Sequence, residues 1–149
     1  MVTATKDHTL LVEKYRSKNL NEYVGNEHIK KTIEQYLGQN DIQNLIFYGP
    51  AGTGKTTLAK LIVNNLNCDY LYINAREPLK VVILDEADFL TIQAQASLRN
   101  VIETFSRTTR FIMTCNYVER IIDPLQSRCQ VLKVIPPSKG EVAAHIASI

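Results

Sequence analysis

The sequence predicts an α/β fold in which a parallel sheet carries helices on both faces. Short apolar runs alternate with segments of helical periodicity. A glycine-rich loop sits between one run and the helix after it, and another run ends in two acidic residues. Leu45-Ile46-Phe47-Tyr48, Tyr70-Leu71-Tyr72-Ile73, Val81-Val82-Ile83-Leu84, Phe111-Ile112-Met113-Thr114 and Val131-Leu132-Lys133-Val134 read as five strands, apolar throughout as buried parallel strands are. Ile29, Ile33 and Leu37 recur at helical spacing, with Asn26 as the candidate cap and Gly38 as the candidate stop. Residues 55–66 place Leu58, Leu61, Ile62 and Leu66 on one side of a second helix. Residues 94–105 turn Leu98, Val101, Ile102 and Phe105 inward on a third. Ser138-Lys139-Gly140-Glu141 has the Ser-x-x-Glu spacing of a capping box, which opens a helix at Val142. Lying so close to Ile149, that helix reads as the start of a further unit. A short helix docking on the same domain is the alternative.

The 149 residues suit one ordinary domain, and 45% hydrophobic composition is ample for its core. No apolar run approaches the roughly 20 residues of a membrane span, and the first residues form no apolar signal segment. An intracellular protein is expected, cytoplasmic or nuclear, without a membrane partner. Cys68, Cys115 and Cys129 are spaced for neither a zinc site nor a disulfide framework, and His8, His28 and His145 show no ligand spacing. A net charge of +2 neither demands nor excludes a nucleic-acid partner. Lys30, Lys31, Arg107 and Arg110 are basic enough to face DNA, although solvated charge is the plainer reading. Tyr15, Tyr23 and Tyr48 read as packing residues.

Gly49-Pro50-Ala51-Gly52-Thr53-Gly54-Lys55-Thr56 fits G-x-x-x-x-G-K-[ST] between a strand and a helix, the context that gives the motif meaning. Glycines let backbone N–H groups turn inward around phosphate oxygens, and the following helix adds its positive end. Lys55 then reaches the β- and γ-phosphates, and the Thr56 hydroxyl ligates Mg²⁺. Asp85 emerges from the end of the Val81–Leu84 run, at the sheet edge where ligands of open α/β folds bind. There Asp85 can hold Mg²⁺ through water while Glu86 acts as general base on the attacking water. Together these two motifs indicate a nucleoside triphosphatase. Asp88 reads as a solvated or helix-capping carboxylate with no catalytic role. Asn116 ends its strand at the same edge, where it either hydrogen-bonds the γ-phosphate or the water, or caps a helix at 117–119. Arg128 either stabilises transition-state charge or is a surface arginine.

These residues resemble the AAA+ ATPase family, and more closely its sliding-clamp-loader ATPase subunits of the replication factor C small-subunit and T-even phage type. Val12-Glu13-Lys14-Tyr15-Arg16 is similar to that family's N-terminal signature, with Ser17 in place of its proline. Tyr23-Val24-Gly25 resembles the segment that follows. The resemblance implies that Val12, Tyr15, Arg16, Val24 and Gly25 line the adenine pocket, and that residues 49–56 and Thr57 hold phosphates. It makes Asn116 the first sensor residue. Pro124-Leu125-Gln126-Ser127-Arg128-Cys129 is similar to the Ser-Arg-Cys motif, whose arginine acts on ATP bound by a neighbouring subunit. Gln95 and Arg99 resemble the helix that couples DNA contact to ATP sites. The expected cofactors are ATP and Mg²⁺. The expected partners are other loader subunits in a ring or spiral, a sliding clamp, and primer-template DNA.

The sequence departs from that family in two places. Only six residues separate Asn74 from Val81. Seven Cα steps span about 23–25 Å, whereas the return along a strand needs about 17 Å plus about 4.8 Å sideways. No helix fits in that link. The expectation is that residues are absent from this sequence after Ala75 or Arg76, with a real deletion or a rearranged edge strand as alternatives. Residues 1–137 are then the nucleotide-binding domain, and 138–149 open a helical lid whose remainder is missing. Two other functions compete with clamp loading: a branch-migration type of AAA+ motor, and an ATP-binding assembly module without turnover of its own.

Overall fold

The computed structural model describes residues 19–66 and 80–148. In chain order the elements are α1 (Glu27–Gln39), β1 (Leu45–Tyr48), α2 (Lys55–Asn65), β2 (Lys80–Leu84), α3 (Ile92–Thr104), β3 (Thr109–Cys115), α4 (Asp123–Gln126), β4 (Gln130–Lys133) and α5 (Lys139–Ala147). All strand pairs are parallel, in the order β2-β3-β1-β4. The four described strands correspond to four of the five expected, and Tyr70-Leu71-Tyr72-Ile73 lies outside the described residues.

Alternation along the strands sorts side chains into two cores. Leu45, Phe47, Ile112 and Val134 face α1 and α2, meeting Ile29, Ile33, Leu58 and Ile62. Ile46, Phe111 and Met113 face the other way, toward Ile102 of α3, Leu125 of α4 and Ile121 just before it. The result is three layers, helix, sheet, helix. Leu58, Leu61, Ile62 and Leu66 are all buried, as their spacing predicts.

Three local expectations fail. Gly38 does not stop α1, which runs through it to Gln39 and closes on Asn40 in the left-handed region. Asn26 makes no side-chain cap bond; it too is left-handed, and its amide is used elsewhere. On α3, Ile102 is buried, whereas Val101 and Phe105 are 39% and 50% exposed. Periodicity gave the inward direction, but the layer over that flank is narrower than the apolar stripe.

Register sets the functional edge. Tyr48 lies beside Cys115 and Lys133, and Leu84 beside Met113. The carboxyl ends of β1, β2 and β3 therefore open on one rim, with β1 between strands reached in opposite directions, the usual ligand position of such sheets.

Candidate nucleotide site

Residues 49–56 leave that rim between β1 and α2. The Gly49 N–H donates to the Cys115 carbonyl at 3.3 Å. A side chain there is excluded, because a Cβ would lie 2.2 Å from the Val134 carbonyl oxygen. Gly54 precedes α2 at φ +87°, in the left-handed region. Thr53 Oγ1 donates to the Pro50 carbonyl at 2.9 Å, closing the loop on itself.

Lys55 is buried, and its ammonium donates to the carbonyls of Gly49 and Pro50 at 2.8 and 2.7 Å. Burial lowers its pKa, opposed by Cys115, Asp85 and Asp88 nearby. The charge is thus held across the mouth of the loop, where phosphate oxygens can replace the two carbonyls. Burial also pushes the Cys115 thiol up to about 12, with Asp88 adding to the shift, so the sulfur stays protonated and inert.

The acidic side is tied to β3. Thr56 Oγ1 donates to Asp85 Oδ1 at 2.9 Å, and the Thr114 hydroxyl donates to the same oxygen. The Glu86 N–H in turn donates to Thr114 Oγ1 at 3.2 Å. Glu86 itself is left-handed at φ +54°, an uncommon conformation for a side chain of this size. It turns the chain abruptly from β2 and leaves its carboxylate exposed on the rim. Strain of this kind costs on the order of 1–3 kcal/mol and gathers at functional sites. A hydroxyl and a carboxylate, both hard oxygen donors, converge at Thr56 and Asp85, a donor set that suits Mg²⁺.

Asp88 corrects the sequence reading. It is buried rather than solvated, and its Oδ2 accepts from the backbone N–H groups of Asn116 and Tyr117, both at 3.2 Å. It thereby fixes the turn that presents Asn116, while Oδ1 has no partner. Asn116 is half-buried and lines a cleft of about 480 Å³ with Gly49, Pro50, Ala51, Tyr117 and Glu119. It sits before the short turn Val118–Arg120 and does not cap it.

Arg128 lies elsewhere. Asn44 and Gln130, which flank it, mark the amino ends of β1 and β4, and the Asn44 side chain reaches the Arg128 carbonyl. A four-residue strand, about 13 Å long, separates that end from the phosphate loop. Its guanidinium folds back on its own chain: Nε donates to Glu103 of α3 at 2.7 Å, Nη1 to the Pro124 carbonyl at 2.7 Å, and Nη2 pairs with Glu103.

The helical residues α3 contributes behave differently from each other. Gln95 is buried and satisfied by backbone alone. Its amide donates to the Leu90 and Arg120 carbonyls at 3.1 and 2.9 Å, and it accepts from the Ile122 N–H at 2.8 Å. Arg99, one turn on, reaches Asn100 while its Nε is buried without a partner. Neither touches the phosphate loop. Val24 is half-buried, Gly25 is buried, and Thr57 is half-buried on α2. Val12, Tyr15 and Arg16 lie outside the described residues. Of the basic candidates, Lys30 pairs with Glu27, and Arg110 with Asp41 and the Ile42 carbonyl.

Thr114, Asp88, Tyr23 and Asn26 hold this site together, and sequence reasoning gave none of them that part. Thr114 carried a signal, being a hydroxyl inside the otherwise apolar, buried stretch Phe111–Cys115 of β3. Among the described residues no helix is long and apolar enough to cross a membrane, and no group of three or more His, Cys, Asp or Glu is placed to hold a metal.

A model of the ATPase family associated with various cellular activities matches residues 45–80 and 74–137. The replication factor C small subunit of Natronomonas pharaonis is 40% identical over 165 residues, covering 93% of this chain and 51% of that protein. The replication factor C small subunit of Sulfurisphaera tokodaii is 35% identical over 172 residues, covering 97% of this chain and 53% of that one. This chain thus spans about half the length of these relatives. Among solved structures, the Thermotoga maritima RuvB Holliday junction branch migration motor superposes with a TM-score of 0.74 at 22% identity, over 89% of this chain and 52% of that one, a likeness of fold.

Proposed function

This chain belongs to the AAA ATPase family, and on that premise we propose that it is an ATP-binding and ATP-hydrolysing subunit of a sliding-clamp loader. In this reading, ATP binding and hydrolysis in an assembly of subunits open a clamp and place it on primed DNA. The observation that carries it is the separation of parts. The phosphate loop, Asp85, Glu86 and Asn116 gather on one rim of the sheet, while Arg128 stands at the opposite end. An arginine so placed acts on a neighbour's nucleotide and not on its own. The replication factor C relatives, alike over nearly the whole of this chain, favour clamp loading over other functions of the family.

Residues 49–57 bind the triphosphate. Thr56 and Asp85 are the residues that would hold Mg²⁺, which when bound offsets phosphate charge. Lys55 exchanges its carbonyl partners for β- and γ-phosphate oxygens. Asn116 orients the attacking water at the γ-phosphate, and the Glu86 carboxylate takes its proton. Arg128 of the adjacent subunit leaves Glu103 and meets the charge that develops on the γ-phosphate, a contribution of about 10³–10⁵ in rate. Turnover therefore waits for assembly. Val24 and Gly25, with Val12, Tyr15 and Arg16, line the adenine side, and Gln95 and Arg99 couple DNA contact to the ATP sites.

Residues 1–137 form the nucleotide-binding domain in this proposal, and 138–149 open a helical lid. Support for the lid comes from α5, which buries none of its residues, Val142 and Ile146 included. The relatives' aligned stretch of 165 residues exceeds this chain's 149, and the two parts of the family match meet at 74–80. Both facts support a longer connection between Ile73 and Val81 in the family than this sequence contains.

The test is ATP turnover by the reconstituted assembly with clamp and primed DNA, comparing wild type with Lys55→Ala. Turnover that depends on both, together with clamp placed on DNA, is expected, with loss in the variant. Strand unwinding or branch migration without a clamp would replace this reading by a DNA motor. Tight ATP binding without turnover in the assembly would make the chain an assembly module.

A further inference from the structure

The four residues before α1 reach two distant parts of the molecule, with a hydrogen bond from side chain to backbone at each end. At one end Tyr23 is buried beneath the phosphate loop. Its hydroxyl donates to the Thr53 carbonyl at 2.9 Å. Its ring lies so close to Gly54 that a Cβ there would come within 2.8 Å of Cε2. Burial pushes the phenol up to about 12, so the hydroxyl remains a donor throughout the working range of pH.

At the other end, the Asn26 side chain forms a reciprocal pair with the backbone of Ile135. Its amide donates to the Ile135 carbonyl at 2.9 Å, and its carbonyl accepts from the Ile135 N–H at 2.9 Å. The Ile135 N–H and carbonyl are both satisfied, as a strand partner would satisfy them. Gly25 and Asn26 are both left-handed, and a Cβ on Gly25 would meet Pro137 at 3.5 Å. The turn is thus fixed by its own backbone as well as by its contacts. It is anchored in turn by α1, whose first bond runs from the Ile29 N–H to the Asn26 carbonyl and whose Ile29 and Ile33 are in the core. Residues 135–137 lead directly into the Ser138–Glu141 capping box.

We propose that Tyr23 and Asn26 are positioning residues of one bracket: Tyr23 sets the backbone of the phosphate loop for nucleotide, and Asn26 ties that setting to the chain leaving β4. Occupancy of the loop is then felt at residues 135–141, the entry to α5. No element has to move for this; a firmer loop firms the bracket, and the bracket firms the exit. The inference deepens the nucleotide-binding reading and rests on it.

The experiment uses the full chain with ADP as probe. Binding is measured by calorimetry, thermal stability by Tm, and backbone exchange at 135–141 with and without ADP. Wild type is expected to bind ADP and to slow exchange at 135–141 when it does, and Lys55→Ala to lose binding. Failure of those two binding results would overturn the nucleotide reading, and the inference with it. Tyr23→Phe keeps the ring and removes only the hydroxyl. It is expected to weaken ADP binding about 3–10-fold at temperatures where the variant is fully folded, the size of one hydrogen bond. A purely structural hydroxyl would lower Tm and leave the affinity alone. Asn26→Asp keeps the acceptor for Ile135 N–H and removes the donor, and is expected to abolish the ADP-dependent slowing at 135–141. Wild-type affinity in Tyr23→Phe overturns the inference. So does slowing that is absent in wild type or that survives in Asn26→Asp.

Discussion

Thr114 does more at the candidate site than its size suggests, because one hydroxyl serves two acidic residues. It donates to the Asp85 carboxylate and accepts from the Glu86 N–H, so it sets where the oxygen shared with Thr56 sits and how the left-handed turn at Glu86 is held. Thr114→Val keeps the shape of the strand and removes both bonds. In the proposed function Asp85 would hold Mg²⁺, and partners one step behind a metal ligand typically matter by about 10–100-fold. Turnover in the assembly is therefore expected to fall about 10–100-fold in this variant, with ATP binding reduced much less, as read by steady-state rates beside nucleotide titration. Glu86→Gln separates the steps differently: it is expected to bind ATP normally and to lower hydrolysis by at least about 100-fold, the usual range for a general base. The phosphate loop, Asp85 and Glu86 were legible in the sequence because their spacing is local and their chemistry dictates their composition. The roles of Thr114 and Asp88 were not, since they depend on β2 and β3 lying side by side; the lone hydroxyl among apolar neighbours marks Thr114 as unusual, but pairing across 28 residues leaves nothing local to say what it bonds.

Elements are joined here by side chains that substitute for backbone. Gln95 links the turn before α3 to the segment between β3 and α4 through three backbone groups and no water-exposed atom is needed to satisfy it. Gln95→Ala leaves those groups unpaired in a buried place, at about 1–3 kcal/mol each where water cannot reach them. A fall in Tm of at least about 4 °C is expected by calorimetry, along with faster exchange at Ile122. The third helix also shows what periodicity can and cannot tell. Ile102 faces the core as its spacing requires, but Val101 and Phe105 stay half in solvent, because an apolar stripe reports direction and not how far the opposing layer extends. At α5 the capping box was legible, being a matter of four consecutive residues, but the helix starts at Lys139, directly after its Ser138 cap, and not at Val142 as expected. Hydrogen bonds from the Ser138 backbone and hydroxyl hold the Glu141 carboxyl below its ordinary 4.5. A depressed carboxyl stabilises the box above that value and loses it as pH falls through the folded one. Protection of the first-turn amides of α5, with the intrinsic pH dependence of exchange divided out, is thus expected to hold above the ordinary value of 4.5 and to fall below it, whereas Glu141→Gln should show no such fall.

For the whole molecule, the proposed function gives the sheet two working ends. The rim at the carboxyl ends of the strands carries the phosphate loop and the acidic pair, and the opposite end carries Arg128, held by Glu103 beside a cleft of about 360 Å³ lined by Arg110, Asp41 and Asn44. In the proposed assembly these two different ends meet head to tail, which generates rings or spirals and not two-fold dimers. Such an assembly needs both ends in every active pair, and this is most directly tested by mixing two inactive variants. Glu86→Gln has a dead site and an intact arginine; Arg128→Ala has an intact site and no arginine. Each alone is expected to assemble without appreciable ATP turnover. Combined in one assembly, they are expected to regain a substantial fraction of wild-type turnover, because the arginine of one serves the site of the other. Full turnover by Arg128→Ala alone, or no recovery in a mixture shown to co-assemble, would contradict the account.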